Sequence, residues 1–119
     1  MIQVLFHLWG DYIFQNDYLA TNKIEFTLRG WIACFIHSIL YSIPFLFIGS
    51  LNAVTVIFIT HFFIDKFRLA KYIIRLKNWE WKTKSGFPES TPPFIYTWVI
   101  IIVDNIIHVT INYFSLLNL

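Results

Sequence analysis

The sequence predicts an all-α fold: an antiparallel four-helix transmembrane bundle whose third helix runs on into the cytoplasmic interface. Three observations predict it. Of 119 residues, 57% are hydrophobic, 20% aromatic and 13% charged, a balance too apolar for the surface of a soluble domain of this size. The apolar residues gather into four stretches, each near the ~20 residues that carry a helix across a bilayer. All nine lysines and arginines fall in two of the connections between those stretches. So little chain is left over that residues 1–119 read as a single membrane domain.

The first stretch covers about residues 1–20. Its opening, MIQVLFHLWGDYIFQ, has no basic leader and no small-residue cleavage site, so it reads as a retained helix rather than a signal peptide. The second covers about 26–49, with Pro44 expected to bend or thin its last turns. It contains Cys34, the only cysteine, which therefore has no disulfide or zinc-knuckle partner in the chain and reads as packing. Gly49, Ser50 and Asn52 make a short turn into the third stretch, about 51–77, and such a turn implies a helical hairpin. That stretch is apolar as far as His61. Beyond Asp65 it becomes KFRLAKYIIRLK, with apolar residues at 69, 72, 73 and 76 between bases, as a helix lying along a membrane interface requires. A loop over about 78–91 follows, and Ser90 or Thr91 is placed to cap a fourth helix over about 92–117, with Pro92 and Pro93 suiting its first turn.

Charge orients the bundle. Lys23 and Arg29 lie in the first connection, and Lys66, Arg68, Lys71, Arg75, Lys77, Lys82 and Lys84 lie in the third. Both connections fall on one side, which the positive-inside rule makes cytoplasmic, so both termini are expected to face outward. The basic stretch 66–84 reads as an anchor on anionic headgroups, with the lipid bilayer as its partner and no nucleic acid. Trp79 and Trp81 fit an interfacial aromatic belt better than a base-stacking platform.

Seven ionisable residues interrupt the apolar stretches: His7 and Asp11 in the first, His37 in the second, His61 and Asp65 in the third, Asp104 and His108 in the fourth. Three His/Asp pairs share a four-residue spacing, which puts both groups on one helix face. Gln15 continues the stripe on the first helix and Asn112 on the fourth. Helical rise places all of them at compatible depths, so four antiparallel helices could converge them on one central site. An acid at a helix centre costs ~2.5–3.5 kcal/mol on insertion scales, so Asp11, Asp65 and Asp104 together demand compensation of about 10 kcal/mol.

Three compensations differ in chemistry. A divalent metal, zinc by donor type, would be held by some of His7, Asp11, His37, His61, Asp65, Asp104 and His108. A proton relay would use the same groups, and an interhelical hydrogen-bond network would simply hold the bundle together. The metal reading leads to hydrolysis of a lipid-linked ester or phosphoester, with Asp11, Asp65 or Asp104 as proton acceptor and Gln15 or Asn105 orienting substrate. The relay leads to a small proton or metal-ion transporter. A third function is a non-catalytic modulator that binds a host membrane protein. No H-E-x-x-H, G-x-S-x-G or phosphate-cradling glycine loop is present. Ser38 adjoins His37 but points about 100° away on a helix, so no Ser/His dyad forms. Lys66 is expected to snorkel to the cytoplasmic interface.

HLWGDYIFQNDYLATNK, then His37, HFFIDK at 61–66 and DNIIH at 104–108, together span most of the chain. In order and spacing they resemble the motifs of the small bacterial and phage membrane proteins known as domain of unknown function 3307. The resemblance implies an intramembrane polar site but no reaction. This chain departs from that pattern at Asn105, where a glutamine is expected. A looser similarity, to membrane-bound metal-dependent hydrolases, is an analogy of architecture only.

Overall fold

The computed structural model describes all 119 residues. It is all-helical: α1 (Ile2–Leu8), a π-helical turn (Trp9–Ile13), α2 (Asp17–Asn22), α3 (Leu28–Ser42), a 3₁₀ turn (Ile43–Phe47), α4 (Leu51–Phe67), α5 (Leu69–Asn78) and α6 (Pro93–Asn118). Short polar side chains start three of these helices by accepting a backbone N–H of the first turn: Asn16 from Leu19, Thr27 from Gly30 and Ser50 from Ala53. The α6 helix opens on Pro92 and Pro93 with no side-chain cap.

Two helices are long and apolar enough to cross a membrane, α3 with its 3₁₀ extension (Leu28–Phe47) and α6 (Pro93–Asn118). The expected bundle of four spanning helices is corrected accordingly, and backbone geometry supplies the reasons. The first stretch widens into the π turn and stops, because Asn16 caps a new short helix. The second tightens at Pro44, which has no N–H to continue the α-helical ladder. The third is cut by Arg68, whose left-handed backbone (φ 51°, ψ 54°) ends α4 and begins α5 in a new direction.

The turn after the 3₁₀ segment folds α4 back along α3, and α4 packs in turn against α6, so it is the central element. The α1 helix and the π turn close the remaining side against α3 and α6. Gly10 sits where a Cβ would lie 2.4 Å from Cδ2 of the Tyr41 ring, so the missing side chain is what lets the π turn approach α3. The apolar core is small: Tyr41, Phe45, Val54 and Ile57, with Phe6 and Leu116 against them. Most of the other large apolar side chains face outward, and the buried interior is rich in polar groups.

Lys66 corrects a second expectation. It is buried rather than snorkelling, and its ammonium donates to the backbone carbonyls of Lys23 and Glu25 and lies 4.5 Å from the Trp31 ring centroid. The chain between α2 and α3 leaves those carbonyls without helical partners, and a lysine in the last turn of α4 satisfies them.

Candidate metal centre

Three helices and the π turn bring polar groups to one region. His61 and Asp65 come from consecutive turns of α4, His37 from α3, and Asp104 and His108 from α6. The π turn carries Asp11 into the same space. His37 Nε2 lies 2.9 Å from His61 Nε2, 3.1 Å from Asp65 Oδ2 and 3.3 Å from Asp11 Oδ1. His61 Nε2 lies 3.4 Å from Asp65 Oδ2 and 3.5 Å from Asp11 Oδ1. Four donors around a tetrahedral zinc with bonds of ~2.0–2.1 Å stand about 3.3–3.4 Å apart. The observed separations cluster around that value, so Asp11, His37, His61 and Asp65 form a group that could hold a metal ion. Asp11, Asp104 and His108 form a second group of three donors, which shares Asp11 with the first.

The hydrogen bonds around the group assign tautomers. His108 Nε2–H donates to Asp65 Oδ1 at 3.1 Å, which leaves His108 Nδ1 to accept His61 Nδ1–H, also at 3.1 Å. His61 Nε2 is then a lone pair facing the centre, oriented from behind as metal-binding imidazoles are. His37 Nε2 faces that lone pair at 2.9 Å, a separation that calls for a proton on His37 or a cation between the two nitrogens. His37 Nδ1 and Asp11 Oδ1 are buried without a hydrogen-bond partner.

His7 stands apart from the donors. Its Nε2–H donates to Asn105 Oδ1 at 2.7 Å, and its Nδ1 accepts the Tyr41 hydroxyl at 2.8 Å, with Asp11 Oδ2 3.4 Å away. Asn112 donates to the same hydroxyl at 2.7 Å. Tyr41 therefore ties α1 to α6, and its ring stacks on His61 at 3.6 Å. Asn105 reaches His7 and Tyr12 rather than the donor group. Gln15 donates to the Asp11 backbone carbonyl, bracing the π turn.

Lys23, just past α2, places its ammonium 2.6 Å from Asp65 Oδ2 and 3.5 Å from His37 Nε2. Burial alone would lower its pKa. The Asp65 and Asp11 carboxylates outweigh that and hold it above the usual lysine value, so the ammonium stays charged beside the donors. Sequence reasoning missed Lys23, which reads as one more base in a connection. It also missed Tyr41, although Tyr41 follows His37 by the four residues that pair the other groups.

Beside the donors lies a cavity of about 270 Å³, bordered by Tyr12, Lys23, Ile64, Asp65, Ile101 and Asp104. The Asp104 side chain is 34% exposed, against 4% for Asp65, so it is the carboxylate open to an incoming molecule.

A helical bundle that buries its histidines and acids and turns its apolar side chains outward defines the class: an all-α protein organised around an interior polar site. The sequence matches the family described as Protein of unknown function (DUF3307) over residues 1–117, and the chain belongs to that family. No curated protein and no solved structure matches it.

Proposed function

We propose that this chain is an integral protein of a bacterial inner membrane that holds a divalent ion, zinc by donor type, and hydrolyses an ester or phosphoester bond in a membrane-delivered substrate. The observation that carries the reading is four donor atoms within 4.8 Å of one another, beside a cavity bordered by the Asp104 carboxylate. Asp11, His37, His61 and Asp65 would hold the ion, which supplies Lewis acidity. Asp104 takes a proton from the attacking water as the new bond to the ester centre forms, and returns it to the leaving oxygen as the old bond breaks. Lys23 faces the negative charge that develops on the ester. The outward apolar surface supports the membrane setting: α6 exposes Ile102, Ile106, Tyr113 and Phe114 and buries His108, Asn112 and Ser115, the inverse of a helix in water.

The test is elemental analysis of detergent-purified protein beside the His61→Ala variant. Stoichiometric zinc in the native protein and its loss in the variant are expected. Metal-free native protein, or a variant that keeps the metal, sinks the reading.

A second reading, a proton or metal-ion conduit, is favoured by the direct contacts of His61 with His37 and His108. It requires liposome flux that depends on Asp104, whereas the hydrolase leaves liposomes ion-tight.

A further inference from the structure

A groove of about 610 Å³ lies next to the metal-site cavity, bordered by Arg68, Lys71, Arg75, Lys84, Tyr96 and Thr97. Its four cations come from the α4–α5 junction, two successive turns of α5, and the loop before α6. No carboxylate borders it. Cations that border one groove with no carboxylate among them repel, and an anion bound there relieves that repulsion. Arg75 shows the same shortfall, since its Nε is buried without an acceptor while its Nη2 reaches the Lys84 carbonyl. Arg68 and Ile100 border both the groove and the cavity that contains Asp65 and Asp104, so the two spaces adjoin. Arg68 is held in a left-handed backbone conformation that glycine or asparagine would adopt at less cost.

We infer that this groove binds the terminal phosphomonoester of a lipid headgroup and directs it toward Asp65 and Asp104, so that the substrate of the site is a lipid that ends in a phosphate. This inference rests on the hydrolase reading for the fate of the substrate, not for its capture. Multiple guanidinium and ammonium groups suit a multiply charged phosphate, which accepts several charge-assisted hydrogen bonds at once. The neighbouring surface argues for a lipid over a free phosphate. The first turns of α6 expose Phe94 and Trp98, and α5 exposes Tyr72, Ile73 and Leu76, so the groove opens where apolar side chains reach outward. A headgroup resting there can keep its acyl chains on the apolar surface.

The test measures binding by thermal stabilisation of the detergent-purified full chain. The probes are dioctanoyl phosphatidic acid, dioctanoyl phosphatidylcholine and inorganic phosphate at matched concentrations. Phosphatidic acid is expected to raise Tm and the other two to leave it unchanged. Lys71→Ala/Lys84→Ala should weaken phosphatidic acid binding by about tenfold. Lys77→Ala/Lys82→Ala, which removes the same charge from exposed lysines that do not border the groove, should not. Equal weakening by both double variants, equal stabilisation by inorganic phosphate, or equal stabilisation by phosphatidylcholine overturns the inference. Zinc content of the same preparations separates the two proposals. Selective lipid binding without zinc supports the groove while removing the hydrolase, and zinc without selective binding does the reverse.

Discussion

At the residue scale, the cluster is a problem of charge balance. Asp11, Asp65 and Asp104 bring three carboxylates to one interior region, and Lys23 is the single ammonium that touches the donor atoms. A fixed positive charge beside Asp65 opposes a divalent cation on the same carboxylate, because interior Coulomb terms are weakly screened. Lys23→Met is therefore expected to tighten zinc binding by at least about tenfold, as read by competition with a chromophoric chelator. Unchanged or weaker zinc binding in that variant would show that Lys23 assembles the donors instead of competing for them. Much of this cluster was legible in the sequence, because an acid or imidazole in an apolar stretch is costly enough to mark itself. His37 lacked a paired acid on its own helix, yet it lies at the centre, with carboxylates reaching it from the π turn and from α4. The approach of Lys23 to Asp65 spans 42 residues and leaves no local trace.

At the element scale, the joints hold what the sequence did not disclose. The break at Arg68 falls in KFRLAK, which contains neither glycine nor proline, so periodicity runs straight through it. The π turn is equally silent in WGDYI, where Gly10 alone hints at a close approach. The bend at Pro44 was readable because proline carries its own backbone rule. The joint between α2 and α3 depends on Gly30, where a Cβ would fall 2.0 Å from the Glu25 carbonyl oxygen, the same carbonyl that accepts from Lys66. Gly30→Ala must push backbone against backbone. It should destabilise the protein by about 1–3 kcal/mol or more, measured as a lowered Tm in detergent. A Tm equal to the parent would mean that this joint gives way freely. Because α2 carries Lys23 to the donors, the same variant should also disturb zinc binding.

At the scale of the whole molecule, polarity is arranged inside out. All four histidines are buried, while Phe47, Leu51, Phe94, Trp98 and Leu117 are among the many large apolar residues that face outward. Burying apolar area stabilises by ~25 cal/mol per Å², so this surface is a strong drive toward an apolar surrounding. The protein is expected to stay with the membrane pellet through an alkaline carbonate wash. Recovery in the supernatant would require another cover for that surface and would remove the membrane setting.

The π turn has a consequence for how such a chain can vary over time. A wider turn holds one residue more than the α-helix on either side of it. A π turn sweeps nearly the same angle as an α-helical segment one residue shorter, so deleting one of residues 9–13 would let the ladder close regularly and leave the chain on either side close to where it was. What would change is the path of the turn itself, and with it the aim of Asp11 at His37 and His61. A single-codon deletion there would take one carboxylate from the site and spare His37, His61 and Asp65, which other helices carry.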